Sequence, residues 1–177
     1  MQRFQLLVTD EIDPEGIDLL RADDRFVVHE KPTRPWKDLV GEIGQYDAFI
    51  GRSATRLPGE LLRHAARLRV IGRAGVGIDN IDLAAATELG IAVINAPAGN
   101  TVAVAELFFG MLIAQFRHLS RAFESMRAGR WDRSDLTGVE LRGRTLGIVG
   151  LGRIGLAIAR RAHAFGMQIS YTARSKK

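Results

Sequence analysis

The chain has 177 residues, 46% of them apolar and 25% charged, with no cysteine and a net charge of +5. That size and balance suit one good globular core or two small ones, and they exclude disulfides and thiolate metal sites. The charge is uneven: residues 1–100 carry 12 Lys/Arg against 15 Asp/Glu, whereas residues 101–177 carry 13 against 5.

The arginines of the basic half are scattered, with no basic run and no aromatic platform, so no nucleic-acid partner is expected. A phosphate-bearing cofactor fits the same excess. The apolar run within Met1–Asp10 is too short for a secretory signal. The longest apolar stretch, Val102 to Phe116, is interrupted by Glu106 and Gln115 and falls short of the ~20 residues that span a bilayer. No membrane partner is expected, and the lack of cysteine points to a reducing, cytoplasmic setting.

Phe4–Val8 predicts a buried strand, followed by a helix over Pro14–Leu20 with proline at its start. Further strands are expected at Arg25–His29, Ala48–Gly51, Arg69–Ile71 and Ile91–Asn95. Helices are expected between them at Lys37–Ile43, Pro58–Ala66 and Asp82–Leu89, the last closed by Gly90. This alternation predicts a parallel sheet covered by helices. The breaker cluster Ala96–Thr101 marks a domain boundary, giving a first domain over 1–98 and a second over 99–177. One long helix, Val102–Arg127, should follow, capped by Asn100 or Thr101. Its first half is apolar nearly all round and needs cover on most sides, by ordinary core packing or by a second subunit. A loop over Arg130–Val139 then leads to a strand over Thr145–Val149.

That strand runs directly into Gly150-Leu151-Gly152-Arg153-Ile154-Gly155, and a helix over Leu156–Phe165 follows. Gly150 suits a tight turn, Gly152 an approach of backbone to a pyrophosphate, and Gly155 close helix–strand packing. The helix start adds free N–H groups and positive potential. The spacing therefore predicts a dinucleotide site in a Rossmann-type unit, with a tight structural turn as the alternative. The next strand, Gln168–Thr172, ends in Ala173-Arg174-Ser175-Lys176-Lys177. NAD-selective chains place a carboxylate there for the ribose hydroxyl. Arg174 instead suits a 2′-phosphate and tilts the reading from NAD towards NADP, unless it belongs to a frayed basic tail.

Four stretches together resemble the D-isomer-specific 2-hydroxyacid dehydrogenases: Arg52-Ser53-Ala54-Thr55, Gly72 to Asp82, Asn95 to Glu106, and the glycine fingerprint. Within that family the likeness is greatest to the phosphoglycerate-oxidising members. The basic end of the last strand is more similar to NADP-using glyoxylate or hydroxypyruvate reductases. The resemblance implies a flavodoxin-like substrate domain followed by the opening of a Rossmann domain, and a chain that is the N-terminal portion of an enzyme. It implies a small 2-hydroxy or 2-keto acid as substrate. Arg52, Ser53 and Arg73, with Arg56, are implied to face its charged groups, and Gly75, Val76 and Gly77 to offer backbone N–H groups to its carboxylate. Asn100 falls at the family's crossing between domains, and Val76 and Val104 near the nicotinamide. A homodimer through the Val102–Arg127 helix is also implied. The family's catalytic arginine and His–Glu pair are expected beyond residue 177, because His29, His64, His118 and His163 match no such pattern. No catalytic residue and no metal site is therefore assigned within this chain. A binding or dimerisation module without catalysis is the rival reading.

Overall fold

The computed structural model describes residues 3–174, which fall into two compact units, Met1–Gly99 and Asn100–Lys177. The architecture is α/β with parallel sheets, as the alternation of elements predicts.

The first unit holds strands β1 (Phe4–Val8), β2 (Phe26–Glu30), β3 (Ala48–Gly51), β4 (Val70–Arg73) and β5 (Ala92–Asn95) in the order β2-β1-β3-β4-β5, all parallel. This is the flavodoxin-like order, with its switch point between β1 and β3. Leu7, Phe49 and Ile71 alternate onto one face, where they are fully buried beneath Leu39, Ile43, Leu57, Leu61 and Ala86. The opposite face, through Leu6, Val8 and Ala48, packs on Ile17 of α1 (Pro14–Arg21). Asp13 caps that helix by accepting from the Glu15 N–H at 3.0 Å, and Pro14 supplies a preset φ at its first position. Asp82 caps α3 (Leu83–Glu88) in the same way, through the Ala85 N–H.

Two expected helices are shorter than predicted. Lys37–Ile43 is a 3-10 turn at Trp36–Leu39 and a second at Ile43–Gln45, with Gly41 between them. The segment anchors itself by burying Leu39 and Ile43, and glycine removes the propensity for a continuous helix. Over Pro58–Ala66 only α2 (Gly59–Leu62) is α-helical. From there the ladder tightens, with His64 N–H donating to Leu61 and Ala65 N–H to Leu62.

The second unit contains α4 (Thr101–Phe116), α5 (Leu119–Arg127), β6 (Thr145–Val149), α6 (Arg153–Ala164) and β7 (Gln168–Thr172). The single helix expected over Val102–Arg127 is in fact two, meeting at 63°. His118 takes a left-handed conformation, φ 53°, and the Phe116 carbonyl accepts from the Val139 N–H instead of continuing the ladder. Tertiary pairing ends the helix where no glycine or proline announces it. Phe109, Ala162, Met167 and Leu141 form the core where α4 meets α6, with the rings of Phe109 and Phe165 stacked at 5.1 Å. Ala105 and Phe109 are the buried residues of α4, whereas Leu107 and Met111 are 64% and 65% exposed. The expectation of cover on most sides is thus not met within this unit. Among the described residues, no single helix is long and apolar enough to cross a membrane.

Candidate functional site

Parallel α/β sheets bind ligands beyond the carboxyl ends of their strands, and the first unit concentrates its polar chemistry there. Asp10, one residue past the buried Thr9, has φ 65°. Its carboxylate accepts from the Arg52 N–H at 2.6 Å, the Thr55 N–H at 3.2 Å, the Thr55 hydroxyl at 2.6 Å and the Thr33 hydroxyl at 2.8 Å. Burial raises the Asp10 pKa, but these four hydrogen bonds outweigh it and hold the carboxyl below its ordinary 3.8. Asn80 Nδ2 donates to the Arg52 and Thr55 carbonyls at 2.9 and 2.7 Å. Thr55 and Asn80 lie in stretches that carry the family resemblance, but the sequence assigns no role to them or to Asp10. The one signal for Asp10 was its place just after the apolar run of the first strand.

Arg52 and Ser53 are exposed on this turn, and Arg52 Nη1 donates to the Glu11 carbonyl at 3.2 Å. Arg56 lines a separate hollow of about 360 Å³ with Trp36, Pro58, Asp79 and Asn80. Arg73, at the end of β4, lays its guanidinium over Gly75, where any Cβ would collide with it. Its Nε is sealed from solvent without a hydrogen-bond partner. The Gly75 N–H, expected to face the substrate, is occupied by the Arg73 carbonyl at 2.8 Å in a tight turn. Val76 and Gly77 keep theirs without a protein acceptor among the described residues. Asn95 Nδ2 steadies this loop from β5 through the Val76 carbonyl at 2.7 Å.

In the second unit the three fingerprint glycines sit in different surroundings. Gly150 has φ 95°, a left-handed conformation that favours glycine, and its N–H extends the β6–β7 pairing by donating to Thr172. A Cβ on Gly155 would run into the Gly150 carbonyl oxygen, so α6 packs against the end of β6 only because residue 155 has no side chain. A Cβ on Gly152 would meet nothing within 4 Å. The first α6 bond runs from the Leu156 N–H to Gly152, so the N–H groups of Arg153, Ile154 and Gly155 precede the ladder. Leu151 and Ile154 are half-buried beside the turn and Arg153 is exposed. Arg174 is exposed two residues past Thr172, at the end of the pair that carries the glycine turn. Ser175, Lys176 and Lys177 lie outside the described residues.

Asn100 stands at the cap position of α4 without a side-chain capping bond, and Val104 donates to its carbonyl at 2.9 Å. The histidines are dispersed. His29 lies within β2 and pairs with Gln5 at 2.7 Å, and His163 is in α6. His64 and His118, read as helical from sequence, sit instead in the turn after α2 and at the α4–α5 break. None has a carboxylate ion-pair partner among the described residues.

The sequence profile described as "D-isomer specific 2-hydroxyacid dehydrogenase, catalytic domain" matches residues 6–175. The D-3-phosphoglycerate dehydrogenases of Archaeoglobus fulgidus and Bacillus subtilis are 41% and 43% identical over 166 residues, 94% of this chain and 31% of theirs. The chain thus spans about a third of the length of these curated relatives. Among solved structures, the TT0316 protein from Thermus thermophilus matches with a TM-score of 0.87 and 36% identity, over 98% of this chain and 57% of that one. The D-lactate dehydrogenase from Aquifex aeolicus, complexed with NAD and lactic acid, matches with a TM-score of 0.84 and 27% identity, over 97% and 52%. The chain belongs to the D-isomer-specific 2-hydroxyacid dehydrogenase family.

Proposed function

We propose that this chain supplies the substrate grip and the dinucleotide grip of an NAD(P)-dependent enzyme that oxidises 3-phospho-D-glycerate. The anionic-substrate reading is carried by Arg73. Its guanidinium forms no ion pair among the described residues, and an oxyanion is the natural partner of such a group. Arg52 and Ser53 on the neighbouring turn, with the N–H groups of Val76 and Gly77, complete a set suited to carboxylate and phosphate. The identity to relatives named D-3-phosphoglycerate dehydrogenase supports the choice of acid.

The residues of the glycine turn fit a dinucleotide. The open space above Gly152 admits a pyrophosphate against backbone, and the α6 start offers three N–H groups and positive potential. Leu151, Arg153 and Ile154 line that approach, and Val104 is assigned to the nicotinamide end. A nicotinamide bound there supplies the hydride acceptor. Arg174, in place of a carboxylate, favours NADP over NAD. Hydride transfer to a carbonyl also needs a tuned acid/base. We assign that role to groups outside this chain, so the 177 residues alone bind but do not turn over.

Steady-state assay of the protein encoded by the complete reading frame tests the reading. Reduction of NADP, in preference to NAD, by 3-phospho-D-glycerate is expected. No NAD(P)-linked turnover of any 2-hydroxy or 2-keto acid would overturn it. Arg174 also favours a second reading, an NADPH-dependent glyoxylate or hydroxypyruvate reductase, and faster turnover of those acids would select it. The exposed Leu107, Met111, Phe123 and Met126 of α4 and α5 support a homodimer through this surface. A monomeric mass by light scattering would contradict that assignment.

A further inference from the structure

The four-residue turn after β3 is held by its backbone from two sides. Asp10 takes the N–H groups of its first and last residues, Arg52 and Thr55, while Asn80 donates to the carbonyls of the same two residues. Between them, the N–H groups of Ser53 and Ala54 are left without a protein acceptor among the described residues, and both residues are exposed. The hydroxyl chain beneath is directional. Thr55 donates to Asp10, so it accepts from the Thr9 hydroxyl at 3.0 Å, and both threonines are buried. Two hydroxyls and two N–H groups together occupy the roughly four lone-pair sites of one carboxylate, so the charge of Asp10 is satisfied inside this network. A left-handed conformation is unfavourable for a residue with a Cβ. Here it is held at the switch point of the sheet, where the carboxylate reaches the β3 turn from β1 and the Thr33 loop from β2.

We propose that Asp10 and Asn80 are positioning residues, which clamp the Arg52–Thr55 turn so that its two free N–H groups, the Ser53 hydroxyl and the Arg52 guanidinium form one preorganised site for a substrate oxyanion. The inference rests on the anionic-substrate reading above and adds the residues that shape the site without touching the ligand. Preorganisation is what the geometry supplies. A loose four-residue turn loses conformational entropy each time it binds, whereas a clamped one has already lost it on folding.

The test compares the full protein with Asp10→Ala, Asp10→Asn and Thr55→Val, using amide hydrogen exchange at residues 52–55, titration with inorganic phosphate followed by NMR, and KM values for both substrates. In D10A, exchange at Arg52 and Thr55 rises about tenfold or more. Phosphate affinity falls and the KM for 3-phospho-D-glycerate rises by about tenfold, with the dinucleotide KM within about twofold of wild type. D10N keeps an amide oxygen for the two N–H groups and falls between. If D10A does not fold, T55V decides, with about threefold changes in the same direction. Unchanged exchange, a loosened turn with unchanged phosphate affinity, or an equal rise in the dinucleotide KM would each overturn the clamp. A wild-type protein that turns over no phosphorylated acid would sink the substrate reading alone, because the phosphate titration still judges the clamp.

Discussion

Gly152 and Gly155 lie three residues apart in one turn and are glycine for opposite reasons. At 155 a methyl group collides with the Gly150 carbonyl, so Gly155→Ala has to push α6 off the end of β6. Overpacking of this kind costs about 1–3 kcal/mol. At 152 a methyl group meets only open space, so Gly152→Ala should leave stability within about 0.5 kcal/mol. It fills the space proposed for a pyrophosphate, so dinucleotide affinity should fall about tenfold or more. Thermal melts paired with cofactor titrations of the two variants check this; equal melting shifts would contradict it. Asp10 gives a second prediction at this scale. Its carboxyl is held below 3.8 in the folded state by the hydroxyl and N–H groups around it. The stability it contributes is therefore fully present above that value and is lost as pH falls through the lower folded pKa. Urea unfolding of wild type and Asp10→Asn between about pH 6 and about pH 2 should show a flatter acid limb in the variant. Parallel curves would count against the network.

Among the elements, the α4–α5 break turns on His118. At φ 53° a β-branched side chain is strained, so His118→Val should destabilise the second unit by about 1–2 kcal/mol, whereas His118→Gly should not. Denaturant midpoints followed through Trp131 fluorescence measure the difference. The same break marks the boundary of what is legible in the sequence. The predicted bounds of β1, β3, β6 and β7 match the structure to the residue. In β1 and β3 a short apolar run ending at a glycine or polar residue defines a buried parallel strand, whereas β6 and β7 are framed by the glycine turn and helix between them. Helix ends were not, because they depend on partners far along the chain. The Phe116 carbonyl is claimed by Val139, and the Pro58–Ala66 segment tightens after one turn to seat Ala65 and Leu68 in the core. The candidate site divides in the same way. The glycine turn is local and readable from spacing. Asp10 is not, because three of its four bonds reach Arg52 and Thr55, separated by 42 and 45 positions, and only geometry brings them together. Even Gly75, read as offering its N–H to a substrate carboxylate, donates it to the Arg73 carbonyl in a way no pattern reveals.

For the whole molecule, the two units differ in how much they bury. The first seals Leu7, Leu39, Ile43, Leu57, Leu61 and Ile71 completely, while the second, among the described residues, buries six apolar side chains and has a two-stranded sheet with every β7 residue exposed. Two-stranded sheets are marginal on their own. Hydrogen exchange should therefore protect the amides of Leu7, Phe49 and Ile71 well beyond those of β7; equal protection would show that the second unit is covered in solution. The second unit is also the basic one, with 13 Lys/Arg against 5 Asp/Glu in residues 101–177, which suits a polyanionic ligand at the α6 start. The proposed enzyme depends most on that grip. Its most direct test is calorimetric titration of the chain, its Gly152→Ala variant and its Arg174→Asp variant with NADPH and NADH. The predicted result is tighter binding of NADPH by the wild type, loss of both ligands in G152A with an unchanged melting temperature, and a preference for NADH in R174D. Binding of neither dinucleotide, or binding untouched by G152A, would contradict it.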